Sequence, residues 1–296
     1  MRSGNFDGWE DTLKGTFQQS RLAGGFGSDN YHACLVGNYH SPFSSLSYEG
    51  VGRMNTKFVE EAESFLEQHP DIREFDLLLP DMNAVFRGKR IQREKLISIY
   101  KKGFYFPASV FAMDVTGETM EETGLGFKSG DQDIPCYPIP ETLKVVPWRK
   151  ERGQLLLRML EPDGSPFFGN PREVLHSVCK KLSEFGWKAM VAVEIEFYLV
   201  DPKRRPGQPP LPVFSRLTGQ REAEGQLYSL SSLDAHELFL KDISEAAIIQ
   251  NIPADTALAE LAPGQFEVNL HHVPDAVLAC DHAVLLKRII RSAAQN

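Results

Sequence analysis

Val191-Ala192-Val193-Glu194-Ile195-Glu196-Phe197-Tyr198-Leu199-Val200 alternates as a β-strand does. Val193, Ile195 and Phe197 fall on one side and Glu194 and Glu196 on the other, because successive strand side chains point to opposite faces. Two carboxylates side by side repel each other and are costly to bury unless a cation neutralises them. A Glu-x-Glu strand can also be a solvated edge, but the apolar side of this one needs a core to pack on. A second acidic cluster follows in Glu260-Leu261-Ala262-Pro263-Gly264-Gln265-Phe266-Glu267. It reads as two short strands joined at Pro263-Gly264, with Glu267 and Asn269 sharing a face. Oxygen-only clusters of this kind suit hard divalent cations such as Mg²⁺ or Mn²⁺.

Composition narrows the setting. The 296 residues suffice for two domains, and 42% hydrophobic with 24% charged residues describe a globular chain. A net charge of −8 argues against a protein that binds the phosphate backbone of nucleic acids. No stretch has the roughly 20 apolar residues needed to span a bilayer, and the N-terminus lacks the apolar core of a signal peptide. Cys34, Cys136, Cys179 and Cys280 are far apart and form no Cys-x-x-Cys pair. They read as free thiols of a reducing compartment, which makes the cytoplasm the expected location.

Residues 1–53, rich in Gly, Ser, Asn and Tyr, read as a poorly ordered extension, with a natural start expected at Met54. Asn55 is placed to cap a helix carrying Phe58, Ala62, Phe65 and Leu66. Strands are expected at Glu74–Pro80, Ser109–Val115 and Gln154–Leu160, and helices at Pro171–Phe185 and Asp234–Gln250, the latter with Leu238, Ile243, Ala246 and Ile249 inward. A prolyl-punctuated exit near 135–147 suggests a first domain at 54–151 and a second at 152–296. Residues 202–232 are too long for an ordinary connection and read as a functional loop. The last helix is expected to start at Pro274.

Several of these segments, taken in order, resemble the glutamine synthetase family. Pro263-Gly264-Gln265-Phe266-Glu267-Val268-Asn269-Leu270-His271-His272 is most similar to the branch that joins glutamate to amines, the glutamate–putrescine (γ-glutamylpolyamine) ligases. Asp76–Arg90, Ala112–Gly117, Gly130–Asp133, Val191–Asp201 and Asp281–Arg288 add to the match, which runs from about residue 55 to the C-terminus. The resemblance implies an α+β fold, with a small β-grasp-like N-terminal domain before an incomplete catalytic domain, an antiparallel sheet with flanking helices. It implies a homo-oligomeric ring with active sites between subunits, in which ATP phosphorylates the side-chain carboxylate of glutamate and ammonia or a small amine such as putrescine displaces the phosphate.

Carried over by position, Glu196, Glu260 and Glu267 would hold one Mg²⁺ or Mn²⁺, and Glu194 would help hold a second. Asp81 matches the acidic residue that reaches a neighbouring subunit's site and binds and deprotonates the nitrogen nucleophile. Asp255 and His272, the latter beside His271, fall near the family's nucleotide contacts. The family's later segments, which carry its glycine-rich histidine motif and an arginine cluster, are expected beyond Asn296. On that ground the chain reads as C-terminally truncated and without ligase activity by itself. The alternative is a non-catalytic fragment or assembly partner that retains a divalent-metal site. Leu285, Leu286, Ile289 and Ile290 of the last helix are then expected to stay uncovered.

Overall fold

A computed structural model of the chain describes residues 34–35, 56–203 and 207–295, and these fall within a compact unit spanning Ala33–Asn296. The expected start at Met54 and the Asn55 cap lie outside the described residues, as does all of the N-terminal extension except β1 (Cys34–Leu35). Then come α1 (Thr56–Gln68), β2 (Glu74–Pro80), β3 (Phe86–Gln92), α2 (Leu96–Lys102), β4 (Phe104–Pro107), β5 (Asp133–Pro138), β6 (Lys144–Val145) and β7 (Arg152–Met159). The second half contains α3 (Pro171–Glu184), β8 (Ala189–Met190), β9 (Glu194–Tyr198), α4 (Leu230–Ala235), α5 (Glu237–Ile249), β10 (Ala254–Ala259), β11 (Gln265–Leu270) and α6 (Ala276–Ala293). β1 pairs with β8. No helix among the described residues is long and apolar enough to cross a membrane.

The first sheet has the order β3-β2-β7-β5-β4, with β6 also paired to β7. Its centre is the parallel pair β2–β7, in register at Leu77 and Leu155, while the other pairings are antiparallel. β2 is covered on both faces, which is why it reads as a nearly continuous apolar run. Phe75, Leu77 and Leu79 enter a core shared with α1 and α2. Leu78 points the other way, into a second core. A side chain at Gly153, beside Phe75, would strike the phenyl ring. The boundary expected at 151/152 therefore falls inside this sheet, because β7 is one of its central strands.

The second sheet is antiparallel, in the order β10-β11-β9. One of its faces, with Ala257, Ile195, Phe197, Val268 and Leu270, packs into the second core. Ile243, Ala246 and Ala247 of α5, Leu285, Leu286, Ile289 and Ile290 of α6, and Leu78 and Leu156 of the first sheet complete that core. The expectation that α6 would be left uncovered is thus overturned: both sheets and α5 bury its apolar stripe. α6 is also tied by charge. Asp76 of β2 accepts hydrogen bonds from Arg90 at 2.8 Å and from Arg288 of α6 at 2.6 Å.

Other local expectations are corrected. Ala108–Phe111 form a buried 3₁₀ turn instead of a strand. Their backbone is taken up by local partners, with Ala108 N–H donating to the Gln132 carbonyl and Ser109 N–H to the Asp131 carboxylate. The helix expected over Asp234–Gln250 is broken at His236, whose Nδ1 contacts the Ser232 carbonyl at 3.0 Å and whose ring packs edge-on against Phe266. Helical phase restarts after it, leaving Leu238 57% and Ile249 49% exposed while Ile243 and Ala246 are buried. The last helix is capped by Asp275, which accepts from Val277 and Leu278 N–H, so Pro274 stands one residue outside the cap.

Candidate metal centre

The site is built by strand register. In the β9–β11 pair Glu196 lies directly opposite Glu267, and Glu194 opposite Asn269. Across the other ladder Leu258 faces Glu267, and Glu260 N–H donates to the Gln265 carbonyl, which extends the pairing by one step. With two-residue alternation, Glu194, Glu196, Gln265, Glu267, Asn269 and Glu260 share the face turned away from the core. The turn between β10 and β11 needs Gly264, at φ +72°, where an added Cβ would come within 2.9 Å of the Leu199 carbonyl. The structure therefore brings all four predicted glutamates onto one sheet face.

Electrostatics on this face are those of crowded acids. Partial burial, and after it the charge of Glu194, pushes the Glu267 carboxyl above its usual range; Glu260 and Glu196 push the same way, against a hydrogen bond with Asn269. The side-chain oxygen Asn269 Oδ1 is buried without a hydrogen-bond partner among the described residues. Glu196 accepts a hydrogen bond from the Gln265 amide. Among the described residues no three His, Cys, Asp or Glu side chains close into a ready metal cage. The mutually repelling carboxylates and the unpartnered amide oxygen nonetheless make an all-oxygen donor set of the type hard divalent cations take.

The other predicted residues lie elsewhere. Asp255 sits at a register break between Ala254 and Thr256, a bulge that leaves this residue unpaired in the β10–β11 ladder. Its carboxyl is held below the usual range by a hydrogen bond from Thr256 Oγ1 and also by pairing with His271 Nε2. His272, the residue singled out from sequence, is exposed at the end of β11 beside that pair. Asp81 belongs to the first sheet. It is buried in the β2–β3 turn, accepting from Asn83 and Val85 N–H at 2.8 and 2.9 Å and from Arg87 at 2.8 Å. Lys287 of α6 reaches the same turn, donating to the Ala84 carbonyl at 3.2 Å. Gln265, missed as a site residue, was legible: it stands two residues before Glu267 on the same strand.

A mixed sheet-and-helix protein whose second sheet carries four glutamates on the face turned from the core is the class defined by this geometry. The chain belongs to the glutamine synthetase family: residues 168–296 match the glutamine synthetase catalytic domain. Gamma-glutamylputrescine synthetase PuuA of Escherichia coli (strain K12) is 43% identical over 245 residues, covering 82% of this chain and 52% of that protein. A glutamate–isopropylamine ligase of Pseudomonas sp is 26% identical, covering 81% of this chain and 52% of the ligase. A crystal structure of a novel glutamine synthase homolog superposes with a TM-score of 0.63 at 20% identity, over 76% of this chain and 49% of that one. The chain thus spans about half the length of the curated relatives it matches.

Proposed function

We propose that this chain serves an ATP-dependent ligase that joins an amine to the γ-carboxyl of glutamate through a γ-glutamyl phosphate. The observation that carries it is the β9–β11 register, which sets Glu196 opposite Glu267 with Glu194 and Glu260 on the same face. PuuA and the glutamate–isopropylamine ligase, by their names, act on glutamate with an amine, which supports an amine acceptor such as putrescine over ammonia. Glu196, Glu260 and Glu267 would hold one Mg²⁺ or Mn²⁺, and Glu194 would help hold a second. Bound there, the ions would neutralise charge on the transferring phosphoryl group.

The remaining work falls to the chain itself. The apolar backing of the sheet keeps the four carboxylates on one rigid surface. The Asp255–His271 pair and His272 mark the end of that surface assigned to the nucleotide. Asp81, in the sheet that we equate with the family's β-grasp-like domain, would serve the nitrogen nucleophile at a neighbouring subunit's site in a homo-oligomeric ring.

Mn²⁺ calorimetry tests the centre on the chain and on a Glu196→Ala, Glu267→Ala double variant. Binding by the chain that disappears in the variant is expected. A folded wild type that takes up no Mn²⁺, or a variant that binds it equally well, would refute the metal assignment. Phosphate release from ATP and glutamate, compared with putrescine and with ammonium, tests the acceptor.

A further inference from the structure

Strand register fixes where each Cβ stands, not where a flexible glutamate points its carboxylate. Glu196 faces Glu267 directly, so repulsion alone would swing it away. Gln265 opposes this. Its Oε1 accepts a hydrogen bond from Ala262 N–H at 2.9 Å, which fixes the rotation of the amide. A backbone N–H only donates, so the atom facing it is the oxygen, and Nε2 is left to donate to Glu196 Oε1.

The backbone under Gln265 is held as well. Gln265 N–H donates to the Ala262 carbonyl at 3.0 Å, and Glu260 N–H donates to the Gln265 carbonyl at 2.9 Å. The long segment after β9 clamps this turn from outside. Glu222 Oε2 accepts from Gly264 N–H at 2.8 Å. Gly225 lies so close to the Leu261 carbonyl that a side chain there would collide with it.

We infer that Gln265 is a positioning residue that orients Glu196 toward a divalent cation, and that Glu222 holds Gln265 in place through the 261–264 turn. This rests on the metal assignment proposed above. An amide suits this role better than a charged side chain, since a lysine at 265 would compete with the cation and another carboxylate would add to the repulsion. A neutral amide holds one carboxylate oxygen and leaves the other free.

The test uses the purified chain, with Mn²⁺ affinity read by calorimetry and ligand symmetry by electron paramagnetic resonance of bound Mn²⁺. Gln265→Met keeps the length of the side chain but loses both hydrogen bonds. It is expected to lower Mn²⁺ affinity by about tenfold or more, as loss of a partner that orients a ligand does, and to alter the resonance line shape. Glu222→Ala is expected to weaken binding in the same direction. Glu222→Gln retains an acceptor for Gly264 N–H and is expected to restore it. Thermal melts of each variant separate these effects from unfolding. Unchanged affinity in Gln265→Met, with a cooperative melt and a wild type that binds, overturns this inference alone, and Glu222→Gln as weak as Glu222→Ala overturns the part played by Glu222. A wild type without Mn²⁺ binding overturns both this inference and the metal assignment.

Discussion

Glu267 is the residue on which the crowding of the acidic face converges. Its carboxyl is pushed up by partial burial and then by Glu194, so the folded chain binds that proton more readily than the unfolded chain does. The stabilisation this gives is full below the unfolded value, about 4.3, and is lost as pH rises through the higher folded value. Without metal, Glu267→Gln is therefore expected to be more stable than the wild type at pH 7. Relief of like charges directly opposite on a sheet amounts to at most about 1 kcal/mol, or roughly 2–4 °C in a chain of this size. The two melting curves should converge near pH 4. Added Mn²⁺ should then reverse the order at neutral pH, raising the melting temperature of the wild type and not of the variant. An unchanged difference between pH 4 and 7 would show that repulsion does not govern this face.

Among the elements, those fixed by local chemistry were legible and those fixed by distant partners were not. β2 was expected at Glu74–Pro80 and is found there, because its apolar run is bounded by Pro80 and a turn-forming aspartate. The acidic face was legible for the same reason: two-residue alternation is local, and it placed Glu194 with Glu196, and Glu267 with Asn269. The fate of α6 was not, since its cover comes from several elements at once, of which β2 and β7 are remote in sequence. Where the helix breaks, the His236 ring packs against Phe266 of β11, and no helical period announces that contact.

The tie between α6 and β2 carries its own prediction. Burial alone would push the Asp76 carboxyl up, but hydrogen bonds and charge from Arg90 and Arg288 outweigh it and leave the group below its usual range. Stability from that pairing is present above the unfolded value, about 3.9, and fades as pH falls through the lower folded one. Asp76→Asn should cost about 2 kcal/mol or more at pH 7, the range for hydrogen bonds to charged groups. In urea titrations across pH, the gap to the wild type should narrow steadily below about pH 4. A gap independent of pH would assign the loss to packing instead of charge.

At the scale of the whole molecule, one core serves both sheets. Leu286 is fully buried within it, among residues of α5, α6 and the two sheets. Leu286→Ala is expected to destabilise by about 2–5 kcal/mol, the usual cost of such a cavity. Because the core is shared, both sheets should be lost together in a single transition. Separate melting of the two, followed by hydrogen exchange at β2 and at β11, would show that the helices between them do not couple them.

The parallel pairing of β2 with β7 reaches beyond the finished fold. As the chain leaves the ribosome, β3 can zip onto one edge of β2 at once, but the other edge waits until Arg152–Leu156 have been made. During that interval the hairpin offers an open, strongly apolar strand, the kind of edge that invites wrong partners. The speed at which the intervening stretch is translated, and whether a chaperone shields the hairpin meanwhile, should therefore govern how much native protein a cell recovers.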